Sequence, residues 1–362
     1  MIESQGLMMR FAERTGLGSP GAATQRYLWT DAFAVCNFLE LGRDDLARVL
    51  VERVHHTLGR YRPGDARSGW LSGLDAAAGA ARPTLGGLRI GKPLPERGPR
   101  DRLDERLEWD RDGQYFHYLT KWMHALDQLA RATGEPVFNA WARELAEITV
   151  RTFAHGAPPR LYWKMSVDLS RPLVSSMGQH DPLDGYVTCL ELAATAADFG
   201  AGATTLAAAT AQLAAMIEPR ALTTADPLGI GGLFVDAYRL VQLGVSDRKL
   251  VFALLTAARV GLEHYLAGPD LHESAERRLA FRELGLAIGL AAVSELPGHG
   301  GIASHHGLRE EIEGFWTRDE HRATRTWREH ADINDVMLAT SLAPAGFLHR
   351  GVLLATAVAT TG

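Results

Sequence analysis

The sequence predicts an all-α fold, twelve helices arranged as six hairpins that close into a ring. Three observations predict it. Apolar residues recur at helical spacing along most of the 362 residues, and no stretch reads as a ladder of strands. In the later half of the chain each helical pair takes about 45–55 residues, a period in the range of helical repeats. The first helix of each pair tends to open on an acid and to carry polar residues within an apolar pattern, as an inner layer facing a shared lumen would.

The elements follow in order. Residues 1–23 read as a lead-in ending in Gly-Ser-Pro-Gly, and Thr24 to Leu41 as the first helix, ended by Gly42. Asp44 to Leu58 returns against it as a helical hairpin. Residues 60–107 are rich in Gly, Pro and Arg without periodicity; they are expected as a long functional loop over the mouth of the ring. Asp112 to Ala132 is the third helix, with Asp110 or Asp112 as a cap and Phe116, Leu119, Met123 and Leu126 as its buried stripe. Pro136 to Phe153 is the fourth. Leu161 to Met177, broken by Pro172, suits extended structure. Helices are then expected at Asp181–Asp198, Ala203–Ile217, Asp226–Leu243, Asp247–Leu266, Glu276–Leu296 and His306–Arg322. An eleventh opens at Asp332-Ile-Asn-Asp335, and a twelfth runs from Gly346 to the C-terminus. The repeat favours a single domain over residues 1–362.

Composition narrows the class. Hydrophobic residues make 46% and charged residues 22%, which suits a globular chain. A net charge of −5 and the lack of a basic stripe give no electrostatic case for nucleic acid. Cys36 and Cys189 fall in apolar helical runs and are expected as buried thiols. Met1–Phe11 carries Glu3 and no apolar core, so it is not read as a secretory signal. Leu284–Leu296, the most apolar run, is too short to span a bilayer. The expectation is a cytoplasmic protein without membrane contact.

Two polar stripes carry the candidate chemistry. His117, Lys121, His124 and Gln128 share one face of the third helix; Asp184, Thr188, Glu191 and Thr195 share one face of the fifth. Acids recur at the helix starts: Asp31, Asp112, Asp181 with Asp184, Asp226, and Asp332 with Asp335. Each alone is explained by capping or by the positive helix end. Together, on an inner layer, they form a site. Trp29, Trp109 and Trp163 stand beside them at helix starts or in loops, and Trp70 and Trp327 are similarly placed.

Trp29-Thr-Asp31, Trp109-Asp-Arg-Asp-Gly113 and His180-Asp-Pro-Leu-Asp-Gly185 resemble the acidic, aromatic inner-helix starts of the (α/α)6 toroid enzymes. These are the six-hairpin glycosidases and the N-acylglucosamine 2-epimerase group. As architecture the resemblance covers nearly the whole chain; no catalytic signature within it fixes a substrate. It implies an (α/α)6 barrel with a site at one mouth, on inner-helix ends and long loops.

Glycoside cleavage needs two carboxyl groups, one with a raised pKa to protonate the leaving oxygen. Asp112, Asp181 and Asp184, with His180, are the expected catalytic residues. Trp29, Asp31, Trp109, Tyr115, His117, Lys121, Trp163, Gln179 and Asp335 are expected to bind a small saccharide or glycoside. Asp112 in particular is expected to face the lumen above His117 and Lys121. A sugar epimerase using His117, His180 or His330 and a non-catalytic saccharide-binding protein are the alternatives. His299 and His305-His306 lack a third ligand at a telling spacing, so neither metal nor cofactor is expected. The glycine runs at Gly86-Gly87 and Gly229-Ile-Gly-Gly232 lack the strand–loop–helix context of a nucleotide site, and no Gly-x-Ser-x-Gly elbow occurs.

Overall fold

A computed structural model describes residues 1–18, 25–201, 206–245, 247–296 and 306–351. In chain order the helices are α1 (Ile2–Arg14), α2 (Leu28–Glu40), α3 (Asp44–Leu58), α4 (Ala76–Ala81), α5 (Glu105–Asp110), α6 (Phe116–Thr133), α7 (Pro136–Phe153), α8 (Asp181–Asp198), α9 (Ala207–Ala214), α10 (Pro227–Gln242), α11 (Arg248–Leu266), α12 (Ala280–Ser294), α13 (His306–Trp316), α14 (Asp319–Arg322), α15 (Arg325–Glu329), α16 (Ala331–Leu342) and α17 (Ala345–Leu348). Strands are two or three residues long among the described residues: β1 (Gln114–Tyr115), β2 (Ala154–His155), β3 (Arg160–Leu161), β4 (Lys164–Met165) and β5 (Pro172–Val174). The fold is all-α. No helix among the described residues is long and apolar enough to cross a membrane. The chain divides into two compact units, one built on Thr15–Met216, the other on Met1–Arg14 with Ile217–Arg350.

In the Thr15–Met216 unit, α2 packs on α6 and α6 on α8, with α3, α7 and α9 as their respective partners. The α8 bounds match the sequence expectation. The third helix does not begin at Asp112. Gln114 and Tyr115 instead pair antiparallel with Met165 and Lys164, so the chain is extended up to Phe116. Tyr115 takes the cap position without a side-chain cap bond, and Asp112 lies outside the helix. Gly113 is required between them. Its φ is +154°, and a Cβ would come 2.7 Å from the Met165 carbonyl oxygen. The extended structure expected over Leu161–Met177 is present as β3, β4 and β5. β4 lies between β1 and β5 in one small sheet.

The long loop is not free chain. It contains α4 and leads into α5, neither of which its composition signalled. Leu88 and Ile90 are fully buried. Ile90 accepts a hydrogen bond from the Leu28 amide (3.1 Å) and donates one to the Gly113 carbonyl (2.8 Å). This pins the loop to the starts of α2 and β1. Gln114, itself fully buried, accepts from the Leu88 amide and donates to the Gly86 and Val167 carbonyls. One amide side chain thus ties the loop to the turn after β4.

In the other unit, α10 packs on α12 and α12 on α16; α11, α13 and α1 are their partners. Two expectations are corrected here. The lead-in contains a helix, α1, whose Ser4, Leu7, Met8 and Phe11 are buried at helical spacing. The Ser4 hydroxyl donates to the Ala339 carbonyl (3.1 Å), so α1 takes the place beside α16 expected for a C-terminal helix. At the C-terminal end α17 is four residues long, and residues 352–362 lie outside the described residues. The tenth helix ends at Trp316, with α14 and α15 before α16. Asp226 and Asp247 cap α10 and α11, accepting from the Gly229 and Leu250 amides.

The Gly229-Ile-Gly-Gly232 run is a helix crossing. A Cβ on Gly231 would lie 2.1 Å from the Gly285 carbonyl oxygen, and one on Gly289 would lie 2.5 Å from the Gly231 Cα. Gly231→Ala must push backbone from backbone and is expected to cost about 1–3 kcal/mol or more. A Cβ on Gly232 meets nothing within 4 Å. Gly232→Ala should therefore gain roughly 0.5–1 kcal/mol from helix propensity. Urea midpoints of the two variants, moving in opposite directions, check the crossing.

Candidate active site

The first turn of α8 and the first two turns of α6 meet in the Thr15–Met216 unit. Asp181 and Asp184, three apart on α8, share one face. The Asp184 carboxylate accepts from Lys121 Nζ at 2.7 Å on one oxygen and from the Thr120 hydroxyl on the other. Asp181 is different. It is 6% exposed, and its Oδ2 has no hydrogen-bond partner among the described residues. Its Oδ1 lies 3.9 Å from His117 Nδ1, which also lacks a partner. Burial is the main force on Asp181 and the neighbouring Asp184 charge adds to it; the Gly178 amide and Lys121 oppose them. The Asp181 pKa is pushed up to about 7. Burial moves the His117 imidazole down to about 4, with the Asp184 charge opposing and Lys121 assisting. Near neutral pH the pair is therefore an uncharged imidazole facing a carboxyl that keeps or releases its proton with small changes of pH.

Gly178 makes this arrangement possible. A Cβ there would lie 2.4 Å from Asp181 Oδ2. The loop before α8 must pass bare backbone against the carboxyl.

An aromatic wall rises beside His117. Its ring stacks on Tyr115 (5.5 Å between centroids, 22° between planes) and on Trp163 (6.1 Å, 14°). Trp109 meets Trp163 edge to face at 4.9 Å. Trp109, Tyr115 and Trp163, with Glu105 and Glu108, line a cleft of about 240 Å³. Flat apolar rings with the exposed Glu105 carboxylate at the rim suit a sugar ring, which presents C–H faces and hydroxyl edges. The wall is held from below by Lys164, which is fully buried. Its ammonium donates to the Glu108 carboxylate (2.9 Å) and to the Glu108 and Arg111 carbonyls, and lies 5.4 Å from the Tyr115 ring. Burial lowers its pKa, and Glu108 counters this.

The two polar stripes read from the sequence face each other deeper in the unit. His124 Nδ1 lies 2.9 Å from Glu191, both buried. Asp127 accepts from Thr195 and Asn139, and Arg131 donates to Thr195 and Asp198. Burial and the Glu191 charge raise Asp127 to about 6. Much of the expected lumen chemistry on α6 and α8 is thus helix-to-helix pairing.

The other expected residues fall in separate places. Asp112 is 0% exposed, so it is not the open, lumen-facing acid expected. Arg89 pairs with one oxygen, and the Gly91 and Gly113 amides donate to the other. Asp31 is buried, accepts from the Tyr27 amide, and has Arg26 at 3.5 Å. Asp335 lies in the other unit, paired with Arg14 at 2.7 Å; burial raises its pKa against that pairing. Gln179 is exposed and His180 half-buried on the approach to α8. Trp29 is buried against Phe33 (4.5 Å). Trp70 and Trp327 are buried too, whereas Trp109 is 54% exposed. His330 is exposed in the other unit.

Sequence reading missed Thr120, Tyr27, Tyr118 and Lys164. Thr120 was legible: it precedes Lys121 and follows His117 by three, on the face that meets α8. Tyr118 packs edge to face on His117 (4.8 Å), and its hydroxyl is 2.7 Å from that of Tyr27. Among the described residues no group of three or more His, Cys, Asp or Glu is placed to hold a metal ion. His299 and His305 lie outside the described residues, as does the side chain of His306.

No family model matches the chain, and no curated protein does. Among solved structures it is similar to a GH76 alpha-mannanase of Bacteroides thetaiotaomicron, with a TM-score of 0.59 over 95% of each chain and 8% identity. The fold is the (α/α)6 toroid. At that identity the likeness shows the fold alone, and the toroid explains the pairing seen within each unit.

Proposed function

We propose that the chain is a glycoside hydrolase acting on a small saccharide, with Asp181 as proton donor and Asp184 as the second carboxylate. The observation that carries this is the contrast between two acids one helical turn apart. Asp181 is buried, raised to about 7 and has an unpartnered oxygen, whereas Asp184 is held by Lys121 and Thr120. Environments that drive two carboxyls apart are what acid and base roles require. The stacked wall of Tyr115, Trp163 and Trp109 would hold the sugar ring, and His117 would orient the donor. Asp112, Asp31 and Asp335, each in an ion pair, are left to structure.

The GH76 neighbour makes α-linked mannose oligosaccharides the first substrates to try. Proton NMR of such a panel should show a new anomeric signal from a released fragment. Positions three apart on a helix put Cβ atoms about 5–6 Å apart. That favours the closer carboxyl spacing, about 5–5.5 Å, so the first product should retain the anomeric configuration. A change at an existing carbon with no fragment released would instead support the epimerase reading, which the unpartnered His117 Nδ1 favours as a base. Binding in calorimetry with no turnover would leave only a saccharide-binding protein.

Gly178→Ala should drive the Asp181 carboxyl off its position. A displacement of about 1 Å is expected to lower kcat by roughly 10²-fold with KM nearly unchanged. A melting temperature close to that of the parent, measured alongside, separates displacement from unfolding.

A further inference from the structure

A second cleft, of about 430 Å³, opens beside α2 and is lined by Gln25, Arg26, Thr57, Arg62, Arg89 and Lys92. Four of the ten residues that line it are cations, on a chain whose net charge is −5. Two have carboxylate partners: Arg26 lies by Asp31, and Arg89 pairs with Asp112. Among the described residues Arg62 and Lys92 have none. Arg62 donates to the Pro93 carbonyl through one nitrogen, while its other terminal nitrogen is buried without a hydrogen bond. Arg26, 1% exposed, also has a terminal nitrogen without a hydrogen bond, but that nitrogen lies 3.5 Å from the Asp31 carboxylate, so Arg62 carries the open donor. Buried donors left unmade are costly, so a ligand that accepts from them is favoured. Guanidinium forks and an ammonium around one space are the chemistry that recognises phosphate or carboxylate.

Three successive side-chain contacts lead from this cleft to His117 at the aromatic wall. Lys92 Nζ lies 5.4 Å from the Tyr27 ring, the Tyr27 hydroxyl bonds to that of Tyr118, and Tyr118 packs on His117. We propose that the cleft binds an oxyanion, phosphate or carboxylate, carried on the saccharide whose reacting end lies by Asp181. The link to a saccharide rests on the glycosidase reading; the anion site itself does not. The substrate class is then a phosphorylated or uronate-bearing oligosaccharide rather than a neutral one.

Calorimetry at fixed ionic strength tests this with inorganic phosphate, a hexose 6-phosphate, a hexuronate and the neutral hexose. Inorganic phosphate should bind one to one. One of the two charged sugars should bind at least about tenfold tighter than both phosphate and the neutral hexose, and which one wins identifies the oxyanion. The double variant Arg62→Gln/Lys92→Gln removes the two cations without carboxylate partners and keeps Arg26 and Arg89, which hold buried acids. It should weaken phosphate binding by at least about tenfold and leave binding of the neutral hexose unchanged. The anion site is overturned if phosphate does not bind or if the double variant binds it equally well; its assignment to a charged saccharide is overturned if neither charged sugar gains over phosphate. Phosphate binding that the double variant abolishes, in a chain that neither binds nor cleaves any saccharide, would keep the anion site and sink the glycosidase reading instead.

Discussion

Asp181→Asn is expected to lower kcat by about 10²–10⁴-fold, the usual contribution of a general acid, and to stabilise the protein above pH 7. The second effect follows from the raised pKa. Burial and Asp184 hold the folded carboxyl at about 7, against a reference of 3.8. Between those values the unfolded chain has released a proton that the folded chain keeps. Stability contributed by this residue therefore falls as pH rises from 3.8 to 7, and stays low above 7. A tenfold change in proton affinity corresponds to about 1.4 kcal/mol, so the ionised group costs a few kcal/mol at about pH 8 and less at about pH 5. An amide carries no such cost. The melting temperature of Asp181→Asn should exceed that of the parent at pH 8, with the gap narrowing towards pH 5, while turnover is lost at both. A variant that melts lower at pH 8 would mean that the carboxylate is stabilised where it sits. A variant with full turnover would remove Asp181 from the chemistry. Gained stability with lost activity is the signature of a strained functional group.

What the sequence shows of this fold is what local chemistry decides. The bounds of α8 follow from Asp181-Pro182 at its start, and Asp226 and Asp247 cap their helices through bonds that span three residues. The inner helices show themselves because an apolar face with a polar stripe is a property of one segment. The helix α1 is equally legible in Leu7, Met8 and Phe11, although the segment that holds it ends in Gly-Ser-Pro-Gly and so reads as a lead-in. Register between segments was not legible. Nothing in either stripe says that Lys121 meets Asp184 or that His124 meets Glu191, and pairing turned part of an expected lumen into a helix interface. The strand pair that delays α6 to Phe116 depends on Lys164 and Met165, roughly fifty residues later. The site was half legible for the same reason. Asp181, Asp184, His117, Lys121, Tyr115, Trp109 and Trp163 were named from their types and spacing and do come together. Which acid is buried and which is paired depends on Thr120, Gly178 and the loops, and so on contacts that spacing does not encode.

Asp112 is the sharpest case of that limit, and Arg89→Ala tests it. An acid before a glycine and ahead of a helix has the look of a cap or a catalytic group. Its actual partner lies 23 residues earlier, in a loop without periodicity. The Arg89 guanidinium pairs with Asp112 and also donates to the Arg60 and Thr57 carbonyls, at 2.7 Å each. Both side chains are buried, Asp112 completely. Truncating Arg89 leaves a carboxylate with two backbone amides and no countercharge, away from water. Breaking such a pair from one side is expected to cost about 3–5 kcal/mol, read as a fall in the urea midpoint. Asp112→Asn keeps the shape and the contacts to the Gly91 and Gly113 amides but strands the Arg89 charge, so it too should destabilise. Combining it with Arg89→Gln should recover part of the loss, because no buried charge is then left alone. Through all of this, kcat per folded molecule should stay within about twofold for Asp112→Asn, far short of the 10²–10⁴ expected on losing a general acid. If Asp112→Asn instead cuts turnover a hundredfold and barely moves the midpoint, the ion pair is incidental and Asp112 belongs to the chemistry.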